Sequence, residues 1–294
     1  ATQGCAGAGG MWGKLTAPGP WTNWSKKPAW VPDIRLPTKQ AAGAGGGFQA
    51  QALAQQADGL MKKRKLRDVQ EAVKLYMQAL EEAGGEDLGL KLKAADAMNC
   101  AMRIRTNANT ILIEGGLDTP ANKKIWASEG PEALNLAKTV YKARPGDVDA
   151  LAVYADSYMF STSSKGIVKQ ALTGAGKEFQ RVARELIKFP KHDSGVGYAL
   201  LGAFYAVAPW PLGDLSKALQ NMETAVKVFP SRRNLYYCGV VHYKRKEWAK
   251  AIEAFEKALS AKCGSVTEED FGQFMLDMSS EGIVVASKHL MEGK

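Results

Sequence analysis

At 294 residues the chain is long enough for one or two compact domains, or for a stacked array, which has no such size limit. Lys and Arg number 39 against 30 Asp and Glu, giving a formal net charge of +9 and a pI near 9.2, a balance that suits acidic proteins, anionic membrane surfaces or nucleic acid without choosing among them. The four cysteines, Cys5, Cys100, Cys238 and Cys263, have neither Cys-x2-Cys spacing nor a nearby histidine pair, which leaves a zinc site without support and makes a reducing or weakly oxidising compartment the default.

Residues 1–47 differ in kind from the rest: ten glycines, five prolines, no helical periodicity, and four of the seven tryptophans, Trp12, Trp21, Trp24 and Trp30. Such a segment reads as an extended arm, yet solvated tails are poor in aromatics because exposed indole is costly. These tryptophans therefore need a home, either on the chain's own body or, the favoured reading, as anchors in a partner. Residue 1 is Ala and no apolar targeting core follows it, so the expectation is a processed chain in an organelle interior, plastid thylakoid lumen or stroma before mitochondrion. Gly43–Gly47 lacks the Lys-Ser/Thr of a phosphate loop and reads as a flexible joint.

The body is expected to begin at Phe48, with helices over 48–65 and 67–82 and a Gly84-Gly85 stop. The basic run Lys62-Lys63-Arg64-Lys65 with Arg67 reads as solvated surface, and since no aromatics interleave with it, nucleic acid is not an expected partner. A helix over 87–105 carries Leu88, Leu92, Ala95, Met98 and Met102 on one face, a core stripe. Residues 107–130, with Ile111-Leu112-Ile113 and Trp126, read as a long connection of the kind that binds partners, and Pro131 as the start of the next helix, to Ala143. Further helices follow over 148–160, 173–189, 196–208, 214–229 and, as a pair, 233–261. The uncharged stretch Ser194–Gly213 reads as a buried helix and an ordered turn rather than a membrane span. Thr267-x2-Asp270 resembles a capping box, and the helix after it, with Phe271, Phe274, Met275 and Met278 on one face, would close the open end of a stack.

Two copies of one pattern organise this body. The first is Tyr198-x2-Leu201-Gly202-x2-Tyr205, then Ala218-x3-Met222 and Pro230; the second is Leu235-x2-Cys238-Gly239-x2-His242, then Ala251-x3-Phe255-x2-Ala258, with 33 residues from Ala218 to Ala251. In each, a glycine on the first helix lets the second helix approach closely, with Ala218 or Ala251 as the matching contact point and Met222 or Phe255 one turn later as the large partner. Weaker copies are Ala72-x3-Tyr76-x2-Ala79, Ala133-x3-Ala137-x2-Val140 and Leu151-x2-Tyr154-Ala155-x2-Tyr158. The pattern resembles the tetratricopeptide repeat, with His242 in place of the usual aromatic and extra residues at Ala208-Pro209-Trp210-Pro211. The resemblance implies an all-α solenoid of about five TPR-like helix pairs over 48–265, a capping helix over 266–294, and the arm over 1–47.

No catalytic constellation survives weighing, so neither an enzyme nor a cofactor is expected. His192, His242 and His289 are well separated, and His242 sits at a repeat packing position. Three functions remain: an accessory subunit clamping a larger, membrane-bound complex peripherally; a reversible peptide-recognition module; or a ligand carrier with a groove among Tyr154, Tyr158, Tyr198 and Tyr205. The arm favours the first, with Trp12, Trp21, Trp24, Trp30, Trp126 and Trp210 as the partner-binding candidates.

Overall fold

The computed structural model describes residues 44–166, 169–170 and 173–293, which fall within one compact unit, Ile34–Lys294. The extended arm and its Trp12, Trp21, Trp24 and Trp30 lie outside the described residues, as does Cys5. The helices stack in successive pairs: α1 (Ala44–Met61) with α2 (Leu66–Glu82), α3 (Leu88–Thr106) with α4 (Pro120–Ala143), α5 (Val148–Ser163) with α6 (Ala175–Ile187), α7 (Val196–Val207) with α8 (Leu215–Val228), and α9 (Arg232–Lys244) with α10 (Trp248–Ser260). A single turn, α11 (Val266–Glu269), leads to α12 (Gly272–Met291), which packs on α10 and α9. The described residues form an all-α solenoid without strands, and none of their helices is long and apolar enough to cross a membrane.

Short polar side chains set the helix starts by accepting from otherwise orphaned amides. Asp87 accepts from Leu90 N, Thr119 from Asn122 N, Asp147 from Asp149 N and Ala150 N, Asp214 from Ser216 N and Lys217 N, and Ser231 from Asn234 N. Between paired helices, small meets large as the repeat pattern requires. A Cβ added at Gly202 would stand 2.9 Å from Met222 Cε, and one at Gly239 2.6 Å from the Phe255 ring. That ring is clasped from its other edge as well, since a Cβ at Gly282 of α12 would meet it at 2.5 Å. Burying Phe255, Tyr236, Met222 and Met275 in the cluster so formed locks the last two pairs to α12. Cys100 and Cys238 are buried as small apolar residues.

Four sequence expectations are corrected. The first helix starts at Ala44, not Phe48, and passes through Gly45–Gly47; glycine costs a helix about 1 kcal/mol per residue but does not forbid it. Pro131 starts nothing: α4 begins at Pro120, behind the Thr119 cap, and carries Pro131 in its interior. Gly130, just before it, is where α4 passes close to α5: an added Cβ would stand 2.8 Å from Ser161. The supposed capping box is not one. Ser265 caps α11, while Thr267 Oγ1 donates to Asp193 Oδ1 (2.6 Å) and Asp270 is committed to arginines. Finally, Arg64 is not solvated surface: its Nε and Nη2 donate to Asp270 Oδ1 and Oδ2 at 2.8 and 2.6 Å, joining the turn between α1 and α2 to the far end of the chain.

Candidate functional site

The first helices of successive pairs, α3, α5, α7 and α9, form the inner face, and this face is not vacant. After α3 the backbone turns sharply through Asn107, Ala108 and Asn109, three consecutive non-glycine residues with φ of 53°, 54° and 51°. Such left-handed turns persist only where surroundings enforce them. They send Thr110–Ile113 along the inner face, where the chain is read as an extended peptide would be. Tyr236 Oη donates to Ile111 O (2.9 Å), Lys244 Nζ to Ile113 O (3.2 Å), and Asn109 Nδ2 to Ser163 Oγ (3.0 Å). Ile111 is buried among the α9 tyrosines. The long connection is thus half helix and half inner-face filling, and its occupant is the chain itself.

Beneath the segment lies an arginine–carboxylate lattice. Arg103, 4% exposed, donates from Nε to Asp270 Oδ2 (2.7 Å) and from Nη1 to Asp156 Oδ2 (2.5 Å), with Asp96 at 3.4 Å. Arg233 donates to Asp193 O (2.6 Å) and pairs with Asp193 Oδ2 (3.4 Å) and Glu268 Oε1 (3.3 Å). Burial pushes the Asp156 carboxyl up to about 6; Arg103 opposes this, and Asp193 and Asp96 add to it. Burial likewise raises the Tyr237 phenol to about 12, against the neighbouring Arg233 and its hydrogen bond with Thr110, and holds the Lys244 amine below its usual range. Between lattice, segment and the helices α5–α7 is a cavity of about 290 Å³, walled on its apolar side by residues such as Met159, Phe179, Leu200 and Phe204. Among the described residues no three of His, Cys, Asp and Glu are grouped so as to hold a metal ion.

Residues 210–265, which hold α8 to α10, match the family model of the tetratricopeptide repeat. A thermophilic TPR protein of Thermus thermophilus has a similar structure, with a TM-score of 0.54 at 14% identity over 80% of this chain and 99% of that one. The chain has a TPR-like helical-repeat fold. The TPR2AB domain of yeast Sti1, solved in a pHSP90 complex, aligns at 15% identity over 82% of this chain and 99% of that one, with a TM-score of 0.31. No curated protein matches. Stacked helix pairs of this fold present extended, curved surfaces of a kind suited to partners.

Within this array the residues singled out from sequence fall in very different places. Trp126 is not a contact residue: it is wholly buried on α4, 6.4 Å from the Phe160 ring, its Nε1 donating to Thr106 Oγ1 at 3.0 Å. Trp210 stands 91% exposed in the α7–α8 turn, beside the part-exposed Leu212. The four groove tyrosines do not make a groove, and none of them borders the cavity. Tyr154 is buried against Tyr141 of α4 (ring centroids 4.9 Å) with Tyr158 beside it at 5.9 Å; their hydroxyls go to Glu178 and to Ala175 O. Tyr205 lies under Lys217 and near Arg184, and Tyr198 is half-buried elsewhere on α7. His242 is structural in its packing position, its Nδ1 2.6 Å from Glu247 Oε2. The inner-face groups that sequence did not single out are Arg103, Asp156, Asp193, Arg233, Tyr237 and Lys244. Their sequence signal was thin: charged or phenolic residues scattered over helices and one short turn, with no shared spacing.

Proposed function

We propose that the chain is a non-catalytic accessory subunit that binds and stabilises a larger multi-subunit assembly at an organellar membrane, held peripherally by the outer surface of its array and by the tryptophan-rich arm. One observation carries this reading. The inner face, where an array would take a free peptide, holds the chain's own Thr110–Ile113 through side-chain hydrogen bonds to the carbonyls of Ile111 and Ile113. A reversible peptide-recognition role would need that segment to leave, so stable docking through outward features is favoured. Among the described residues Trp210 is such a feature, its exposed indole being of the residue type that dominates interface energies, and to it we add the arm's tryptophans as anchors. The partners are protein subunits. The compartment we assign is a plastid interior, thylakoid lumen or stroma, before a mitochondrion.

The test is a pull-down under gentle detergent with the full chain, a form lacking residues 1–43, and Trp210→Ala, followed by mass spectrometry and by fractionation of the source organelles. A defined membrane complex that comes down with the full chain and is lost or weakened in both variants is expected. The chain emerging alone in every form overturns the proposal, and recovery only from a non-organellar fraction overturns the assigned compartment.

A further inference from the structure

The charges around the inner cavity do not balance. Three arginines meet five carboxylates in two neighbouring groups, Arg64 and Arg103 with Asp96, Asp156 and Asp270, and Arg233 with Asp193 and Glu268. The side chains of Asp270 and Glu268 have no solvent exposure, so their charge is answered inside the protein. Of the carboxylates that border the cavity, Asp193 has both oxygens engaged, Oδ1 by Thr267 and Oδ2 by Arg233. Asp156 has one: Arg103 takes Oδ2, and 21% of the side chain remains open. The remaining cation of the wall, Lys244, is turned to the carbonyl of Ile113 and neighbours Glu114. A buried carboxylate with an open oxygen and too few cations around it is stabilised by a positive group brought from outside.

The cavity also supplies apolar contact. Phe179 and Phe204 stack with centroids 6.2 Å apart, and Met159, Leu200 and Ala203 complete an apolar wall. At about 290 Å³ the space is near the lower end of the roughly 300–1,000 Å³ usual for ligand sites, which limits an occupant to a small molecule. Apolar side chains together with a single unpaired carboxylate oxygen fix both the position and the direction of a ligand.

We infer that this cavity binds a small amphipathic amine, its apolar or aromatic body between Phe179, Phe204 and Leu200 and its ammonium on the open oxygen of Asp156. An anion is disfavoured, because both arginines of the wall are already matched by carboxylates and another negative charge would deepen the excess. The assignment is independent of which protein the outer surface holds, and nothing in it requires chemistry to occur.

Three probes of nearly equal shape isolate the head group: 2-phenylethylammonium, 2-phenylethanol and 3-phenylpropanoate, titrated into the full chain by calorimetry at low and physiological salt. The ammonium is expected to bind about tenfold or more tightly than the alcohol, and the carboxylate least. In Asp156→Asn, which keeps an acceptor for Arg103, the preference for the ammonium should disappear while the alcohol is unaffected. Ala203→Trp, which fills the apolar half, should abolish binding of all three. Equal affinity for ammonium and alcohol on the unaltered chain overturns the inference without recourse to any variant. So does a preference that survives in Asp156→Asn, binding undisturbed by Ala203→Trp, or no measurable binding of the ammonium at all.

Discussion

Gly239→Ala tests the packing logic of the array more sharply than any larger change. The added Cβ would sit 2.6 Å from two carbons of the Phe255 ring, so about an ångström of separation has to be found. The ring cannot retreat, because Gly282 of α12 admits it at a distance where a Cβ would be 2.5 Å away. Overpacking of this kind costs about 1–3 kcal/mol, and with the escape blocked the upper end applies; exchanging glycine for alanine within a helix returns about 1 kcal/mol. A net loss of about 2 kcal/mol is expected, several degrees in Tm, read by urea and thermal unfolding. Gly202→Ala supplies the contrast. Its Cβ meets the flexible end of Met222, at 2.9 Å, and the tightest backbone atom is Ala218 O at 3.1 Å, so the helix gain offsets the crowding and the change should be near neutral. In a Phe255→Leu background Gly239→Ala should cost less, with a coupling energy of about 1 kcal/mol or more. Gly239→Ala as stable as the unaltered chain, or no coupling to position 255, would refute the clasped-ring account.

Other outcomes follow from the inner face and the tryptophans. Arg103→Met strips Asp156 of its arginine and leaves the buried Asp270 to Arg64 alone, and should destabilise by about 3 kcal/mol in chemical denaturation, far beyond an exposed arginine. The pH response of Asp156 has a definite sign. Its carboxyl lies at about 6 in the fold, above its ordinary 3.8, so its contribution to stability is full below about 3.8 and is lost as pH rises through about 6. The stability of the unaltered chain minus that of Asp156→Asn should therefore fall across this window; a difference that rises with pH would contradict the burial of the acid. Trp126→Ala should cost about 3–5 kcal/mol by emptying a core site, whereas Trp210→Ala should leave Tm within measurement scatter because the indole touches mainly solvent.

The paired architecture was legible because local chemistry writes it. Asp214 reads as a helix start and is one, and Gly202 with Met222 and Gly239 with Phe255 meet as the repeat spacing requires. The boundary at Pro131 misled because Gly130-Pro131 punctuates a chain strongly. Thr119-Pro120, a cap followed by a first-turn proline, was the better signal. The tyrosine groove failed for a more general reason. Tyr154 and Tyr205 occupy the repeat positions whose task is to pack one helix on the next, so those positions are spent on the pair and cannot also face a ligand. The groups of the inner face and of the ion-pair network beneath it belong to no repeat pattern. Arg103 and Asp270 are 167 positions apart, Arg64 and Asp270 206, and Tyr236 and Ile111 125, and nothing local in sequence announces a partner at that distance.

Those distant bonds change how the molecule should come apart. In an open array every repeat answers only to its neighbours, so ends fray first and unfolding creeps inward one unit at a time. Here Asp270, in the turn before α12, is gripped by arginines from the first and second pairs, and the α3–α4 segment is fastened to α9. Neither end can loosen without releasing the other. Amide exchange in α2, α3 and α9 should then share a single opening free energy rather than descend in steps, and the array should melt in one transition like a globular domain.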